Sequence, residues 1–523
     1  MKTLFERHPL LSVWLPFLLC LLPVLVLRDF TPANELRYLS IADEALADGH
    51  WLSFSNHGIP YADKPPLYFW IVMLCRRLFG THSMPALALF SLLPALGIVA
   101  VMDRWTFRRE HALSRAAAAA MLLTTGLFLG TSVYLRMDLL MCFWIVLALR
   151  AAWTGKCGRF GFFTFLALFT KGPVGLLLPI LSVLVYRVAG GRDISLAKVF
   201  NWPFWAILGG LSLLWLGGVY AEAGPEYLGN LLFHQTFDRA VHAFHHQAPF
   251  WYYGAVIWGV AAPWCLLTVP AIVVACLPQK PDTRRSRPER FYLSVVLTGL
   301  VLLSLFSSKL AIYLLPQVPF WVSLFVQVGK RRGWEPWMRG TMGVTAALWA
   351  LVGAAVAAAY FCFGLLSVPA EYDFIRTPLL IPAGCVLLAG AILALVSLKT
   401  GWQRPVLALS ASLMLTLALA SPLLPQVNAR IGYRQLSEEV ALDASVCTLG
   451  LKGGENIDVY LHRPVKAVDP DAFLEDPAVI PDGAAVILSE KADAAVSGRY
   501  SGILKASGRT RSLSPEGLYG IWR

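Results

Sequence analysis

Charge is what this sequence has least of. Only 15% of its 523 residues are Asp, Glu, Lys or Arg, against 57% hydrophobic, and mean hydropathy is +0.61. No soluble domain needs so much apolar surface, whereas repeated passage through a hydrocarbon core does. The nine cysteines include no Cys-x-x-Cys pair, and all but Cys447 lie in or beside apolar runs. That excludes a disulfide framework and leaves small buried side chains. No small-residue cleavage site follows the first apolar run, Leu10 to Leu27, so it reads as a retained span rather than a leader.

The charge that is present is distributed unevenly. Net charge is +12, a value that would suit a nucleic-acid binder. The basic residues nevertheless fall in short loops between apolar runs: Arg104, Arg108, Arg109 and Arg115; Arg284, Arg285, Arg287 and Arg290; Lys330, Arg331 and Arg332. That is the positive-inside pattern of cytoplasmic loops, and it accounts for the basic balance with no nucleic-acid partner.

With Lys2 and Arg7 inside, the first span ends outside near Arg28. Residues 34–48 read as an amphipathic helix at the outer surface, with Leu36, Leu39, Ala42, Ala45 and Leu46 on one face. Leu67 to Phe79 is too short to cross, since a span needs about 20 residues, and is read as interfacial. Met84 to Met102 then returns inside. Further spans are expected over 116–133, 139–153, 202–221, 250–277, 291–307, 311–328, 341–366, 378–397 and 405–424. Segments 158–170 and 173–187 form a broken pair meeting at Lys171-Gly172-Pro173.

The fold expected is a polytopic α-helical membrane protein of about 13 crossings over residues 1–427. An odd count places residues 428–523 outside. There, helices expected at 433–443 and 455–461 alternate with the apolar runs Ser445 to Leu449, Ala484 to Leu488 and Leu518 to Trp522. A small α/β domain fits that alternation. It carries no Gly-rich phosphate loop and no nucleophile motif.

Against so apolar a background, residues 28–66 stand out as a polar loop hung on the first span, holding Glu35, Arg37, Asp63 and Lys64. Charge at that level is expensive and usually marks a site. The same outer side collects Arg136 and Asp138, Lys171, Lys309, and the loop 222–249 with His234, Asp238, Arg239, His242, His245 and His246. Such a set suits transfer from a phosphate-linked lipid: cations hold the phosphate and carboxylates orient or deprotonate an acceptor. Blander readings stand beside these. Arg136 and Asp138 are also spaced for a simple ion pair, Lys171 and Lys309 for snorkelling to headgroups, the loop histidines for solvation. Trp251, Tyr252 and Tyr253 fit an aromatic belt.

Taken in chain order, several motifs resemble those of bacterial GT-C glycosyltransferases, notably the lipid A aminoarabinose transferase family and, more distantly, protein O-mannosyltransferases. They are Asn34-Glu35-Leu36-Arg37-Tyr38 (family pattern Asp-Glu-x-Arg-Tyr), Tyr61-Ala62-Asp63-Lys64-Pro65-Pro66 and Thr170-Lys171-Gly172. His246 through Tyr253 and Lys309 through Pro316 complete the set.

The resemblance implies a GT-C fold in the bacterial inner membrane with its site and C-terminal domain periplasmic. It also implies a polyprenyl-phosphate sugar donor, a lipid A or other envelope glycan acceptor, and no nucleotide cofactor. Glu35, Asp138 and Asn34 become the candidate catalytic residues. Arg37, Lys64, Arg239, Lys171 and Lys309 become donor-phosphate contacts. Asp63 and His246, with His234 or His245 as substitutes, become ligands of a divalent metal such as zinc. Asn34 stands where the family commonly has Asp, and Asp63 where the aminoarabinose transferases tend to have Glu. A neutral amide takes no proton, so Asn34 disfavours a hydroxyl acceptor more than an already ionised phosphate. The competing expectations are a transferase with a protein Ser/Thr acceptor and a non-catalytic lipid-sugar flippase.

Overall fold

The structure is a computed structural model that describes residues 4–232, 248–277, 284–333, 336–365, 377–440, 445–514 and 517–523. It is a polytopic α-helical bundle with a small β-sheet domain at the C-terminus. Among the described residues six helices are long and apolar enough to cross a membrane, and two sharply bent pairs bring the number to eight. Pro173–Val188, Cys265–Cys276 and Leu380–Val396 are apolar but shorter.

The first bent pair sets up the outer loop. Helix Leu11–Leu27 ends at Arg28, which is extended, and the chain re-enters helix through a π-turn at Pro32–Leu36, the two axes meeting at 81°. Helix Arg37–Asp48 then runs on from that turn, steeply angled to the first helix. Its apolar positions recur at helical spacing, and Leu36, Leu39, Ala42 and Ala45 are buried with Tyr38 and Ile41. Gly49, at φ 74°, closes that helix in a left-handed conformation that costs glycine nothing. Helix Leu67–Phe79 occupies the stretch expected for it and packs Phe69 against Phe54 and Tyr38.

Two stretches expected as single spans are each broken. Residues 116–133 divide into Ala112–Leu123 and Gly126–Val133, bent by 68°, and residues 250–277 into Tyr252–Val260 and Cys265–Cys276. Broken helices leave backbone groups that lipid cannot satisfy, so they must be paired within protein. These two breaks pair with each other: the Gly126 amide donates to the Ala262 carbonyl at 2.7 Å, and the Trp264 indole to the Thr124 hydroxyl at 3.1 Å. Helix Trp202–Gly229 runs on into the expected loop 222–249, kinked at Gly224 (φ 77°), after which Pro225 restarts the helix.

The C-terminal sheet runs in the order Val465–Val468, Val446–Leu449, Ala485–Ser489, Tyr519–Trp522, Arg511–Leu513. The first three strands are parallel and the last two antiparallel. Successive side chains on a strand face opposite ways, and here the two faces serve different cores. Val446, Val465, Ala485, Ile487 and Ile521 share one core with Leu36, Leu39 and Phe69 of the first loop. Cys447, Val486, Leu488 and Trp522 pack on the domain's own Phe473, Tyr500 and Leu504.

Polar bonds reinforce that docking. The Ser40 hydroxyl donates to Asp458 at 2.8 Å, the Tyr460 phenol to Asp29 at 2.6 Å, and the Asn428 amide to the Leu27 carbonyl at 2.7 Å. Burial raises the Asp458 carboxyl above its ordinary range, against the opposing pull of His57.

Helices Cys157–Lys171 and Trp202–Gly229 cross at Gly161, where an added Cβ would lie 2.6 Å from the Phe204 carbonyl oxygen. Small residues permit such close backbone approach in membranes. Gly161→Ala is expected to lower the thermal midpoint of the purified protein by several degrees, overpacking costing about 1–3 kcal/mol. Gly209→Ala, where the added methyl meets open space, is expected to leave the midpoint in place. Tryptophan fluorescence during a thermal ramp reads both.

Candidate active site

Glu35 anchors the site's first wall. It is fully buried, and both of its oxygens receive Arg28, Oε2 from Nη1 and Oε1 from Nη2, each at 2.7 Å. The Thr31 amide donates to Oε2 at 2.7 Å and the Leu135 amide to Oε1 at 2.6 Å. An ionised carboxylate offers about four acceptor directions, and four donors take them here. Arg28 reaches further, to the Val133 carbonyl at 3.0 Å and the Tyr134 ring at 4.7 Å. The pair thus joins the first span, the π-turn and the turn before helix Asp138–Trp153.

A second cluster forms at the end of that helix. Asp138 is its first residue and Lys171 the last of the antiparallel helix Cys157–Lys171. A carboxylate at a helix N-terminus and an ammonium at a C-terminus each complement the helix dipole. The two groups meet: Lys171 Nζ donates to Asp138 Oδ1, while Arg136 Nε donates to Oδ2 at 3.1 Å. The ion pair expected between Arg136 and Asp138 is therefore present, enlarged to three members. Lys171 is largely buried rather than snorkelling outward, and its ammonium lies 5.2 Å from the Tyr313 ring. Gly172 (φ 89°, ψ −149°) permits the break that follows, and Gly175 lets the next helix approach the Ala167 backbone, where a Cβ would sit at 2.3 Å.

The other sequence-predicted residues lie in separate segments. Lys309 is 6% exposed and donates to the Phe306 carbonyl at 2.5 Å. It sits just before the 3-10 segment Ala311–Gln317 that carries Tyr313. Arg37, Asp63 and Lys64 are half-buried and Asn34 is exposed. Lys64 Nζ donates to the Asp63 carbonyl at 3.1 Å. Burial lifts the Tyr38 phenol to about 12, and the charged groups facing it are Arg136, Asp138, Arg37 and Asp63. Tyr38 is thus the common neighbour of the first loop and the Asp138 cluster. His234, Asp238, Arg239, His242, His245 and His246 lie outside the described residues.

Sequence reasoning missed the groups that hold the loop in place. Arg28 is one. Glu222 is another: it accepts from the amides of Trp51, Leu52 and Ser53 and from the Ser53 hydroxyl, at 2.7–3.1 Å for its Oε1. Tyr227 is a third, donating to the Tyr61 carbonyl at 2.9 Å and accepting from the Phe54 amide at 3.0 Å. A carboxylate three residues before a Pro in an otherwise apolar run, Ala221-Glu222-Ala223, was the available signal for Glu222's neighbourhood. No signal pointed to its partners. Among the described residues no group of three or more His, Cys, Asp or Glu gathers as a metal site.

Comparison with known proteins bears on the fold and on sequence resemblance. The chain matches no family model. It is 28% identical over 403 residues to an undecaprenyl phosphate-alpha-4-amino-4-deoxy-L-arabinose arabinosyl transferase of Shewanella sediminis, covering 73% of this chain and 70% of that one. It is 27% identical over 301 residues to an enzyme of the same name, number 2, from Pseudomonas fluorescens, covering 54% and 49%. Against the latter the match spans about half of the relative's length. Among solved structures, ArnT from Cupriavidus metallidurans bound to undecaprenyl phosphate superposes with a TM-score of 0.74 at 19% identity, covering 99% of this chain and 97% of that one. The apo form of the same protein gives 0.72. In sequence the chain resembles the aminoarabinose transferases, and its fold is that of the ArnT-type GT-C enzymes.

Proposed function

We propose that the chain is a GT-C glycosyltransferase of the inner membrane. It moves a sugar from polyprenyl phosphate to a lipid A phosphate or another envelope acceptor at the periplasmic face. The observation that carries this reading is the collection of Arg37, Asp63, Arg136 and Asp138 around Tyr38, with Lys171 on Asp138, at one end of an apolar bundle. In this reading the helices too short to count alone also cross and Leu67–Phe79 stays at the interface, which brings the crossings to about 13. That places residues 428–523 on the site's side, as a separate domain from 1–427. A flippase would need ionisable groups along a passage. Here the buried charges fall at the bundle's two ends: Glu35, Asp138 and Lys309 at one, Asp103 with Arg115 and Glu289 with Arg331 at the other.

In this reading Lys64, Arg37, Lys309 and Arg239 hold the donor phosphate and stabilise the charge that grows on it as the sugar leaves, where electrostatic catalysis contributes most. Lys171 takes part from its place on Asp138. The acceptor phosphate is already ionised, so orientation replaces proton removal, and exposed Asn34 can donate an amide hydrogen bond to it. Asp138 and Glu35 act as positioning residues, the first by holding Lys171 and Arg136, the second by fixing the loop. A divalent ion on Asp63 and His246 belongs to the proposal. Asp63 is a half-buried carboxylate beside Lys64, a hard oxygen donor suited to such an ion. When bound, the ion would neutralise part of the donor phosphate's charge. Elemental analysis of the purified protein and of Asp63→Ala tests it, one equivalent being expected only in the former.

Asp63→Ala with Lys64→Ala in a deletion strain is expected to abolish the added-sugar mass on lipid A that the native protein restores, by mass spectrometry of envelope lipid. Lys64→Ala alone is expected to lower kcat by about 10²–10³-fold. Unchanged spectra from the double variant, with the protein present in the membrane, would overturn the donor site.

Glu35→Gln is expected to lose folded protein, because removing one partner of a buried ion pair costs about 3–5 kcal/mol. The paired substitution Arg28→Met with Glu35→Met is expected to recover most of the yield in size-exclusion chromatography. A Glu35→Gln protein of native stability and no activity would instead restore Glu35 to the catalytic role expected from sequence.

A further inference from the structure

At the end of the bundle away from the proposed site, arginine collects where the transferase reaction has no use for it. Helix Met84–Met102 runs on through Asp103–Phe107, and Ala112–Leu123 returns beside it. Helix Asp138–Trp153 brings Arg150 to the same end, twelve positions past Asp138 and so about 18 Å along the axis. Asp103, Arg104, Arg108, Arg115 and Arg150 line a cavity of ≈ 590 Å³.

The charges in this cavity do not balance. Asp103 is buried and is engaged by one arginine on both oxygens, Oδ1 from Arg115 Nε at 2.8 Å and Oδ2 from Nη2 at 2.6 Å. Four guanidiniums against that one carboxylate leave a net charge of +3 on the lining (4 − 1). Neighbouring acids are engaged elsewhere, Glu110 by Lys330 and Glu289 by Arg331. Among the described residues Arg104, Arg108 and Arg150 make no side-chain hydrogen bond or ion pair.

We propose that this cavity binds a phosphate group, presented by the headgroup of an anionic glycerophospholipid or by free phosphate. Three guanidiniums converging on one concavity repel one another until an anion arrives, and their planar forks match phosphate oxygens in pairs. Arg104 and Arg108 are exposed at its mouth and Arg150 is half-buried, and all three share the cavity with the Arg115–Asp103 pair, whose carboxylate is buried and already engaged. The surroundings favour the lipid. The cavity opens at the end of the 24-residue apolar helix Met84–Phe107, where headgroups meet hydrocarbon, and basic pockets between helices at that depth take anionic headgroups. The inference is independent of the transferase reading, since the lining shares no side chain with the proposed site.

Native mass spectrometry of the full chain tests it, with phosphatidylglycerol, phosphatidylcholine or inorganic phosphate supplied in turn and the thermal midpoint followed in parallel. Phosphatidylglycerol is expected to remain bound and raise the midpoint, phosphatidylcholine to do neither. Binding is expected to fall at least about tenfold, or about 1.4 kcal/mol, in the triple variant Arg104→Gln, Arg108→Gln, Arg150→Gln, which keeps the Arg115–Asp103 pair. A shift by inorganic phosphate as large as that by phosphatidylglycerol, lost in the same variant, supports the site and assigns its source to a soluble anion. Should the triple variant fold poorly, Arg108→Gln alone is expected to weaken binding while Arg109→Gln, outside the lining, leaves it unchanged. Equal retention of phosphatidylglycerol and phosphatidylcholine, or retention unaffected by these substitutions, would overturn the proposal.

Discussion

The Arg28–Glu35 pair is the constraint on which the outer half of the molecule depends. It turns the chain out of the first span, stitches that turn to Val133 and Leu135, and so fixes where helix Asp138–Trp153 begins. Everything charged in the proposed site is placed relative to it. Two full charges at 2.7 Å in a buried setting are tolerable only because other donors complete the carboxylate's shell. The same arithmetic recurs at Asp138, whose ionisation is shared between Lys171 and Arg136. Burial makes each group expensive, and each is held by more than one partner.

How far the sequence revealed this depended on how far apart the partners lie. The amphipathic face of 37–48, the short helix Leu67–Phe79 and the break at Gly172 rest on spacing and on local backbone preference, and all were legible. So were the strands at 446–449, 485–489 and 519–522, whose apolar runs are bounded by polar residues. The strands Val465–Val468 and Arg511–Leu513 were not, because Lys466 and the exposed Arg511-Ser512-Leu513 break the apolar pattern of an edge strand.

The breaks at Thr124 and Ala261 were hidden for a different reason. In an apolar run, hydropathy registers composition alone, and the Gly126 to Ala262 bond joins residues 136 positions apart. Glu222's hold on Trp51 to Ser53 is equally non-local. Which charged residues belong together was readable in outline, since they fall in loops on one side. What each of them does was less so: Glu35 carries a motif's signature, yet its geometry is that of a clamp.

The sheet of the C-terminal domain has one face turned to its own helices and the other to residues 36–73, and this has a bearing on biogenesis. The contacts that close this shared core join positions about four hundred residues apart, as in Asn428 with Leu27 and Tyr460 with Asp29. Until the sheet is in place, Leu36, Leu39 and Phe69 lack the cover that Val446, Val465, Ala485, Ile487 and Ile521 give them. A chain stalled in the membrane region would carry Arg37, Asp63 and Lys64 on a first loop that lacks the support of the sheet. The proposed site therefore gains its full support only when the sheet has docked, and a copy whose sheet has not folded presents apolar surface where it can be recognised and removed.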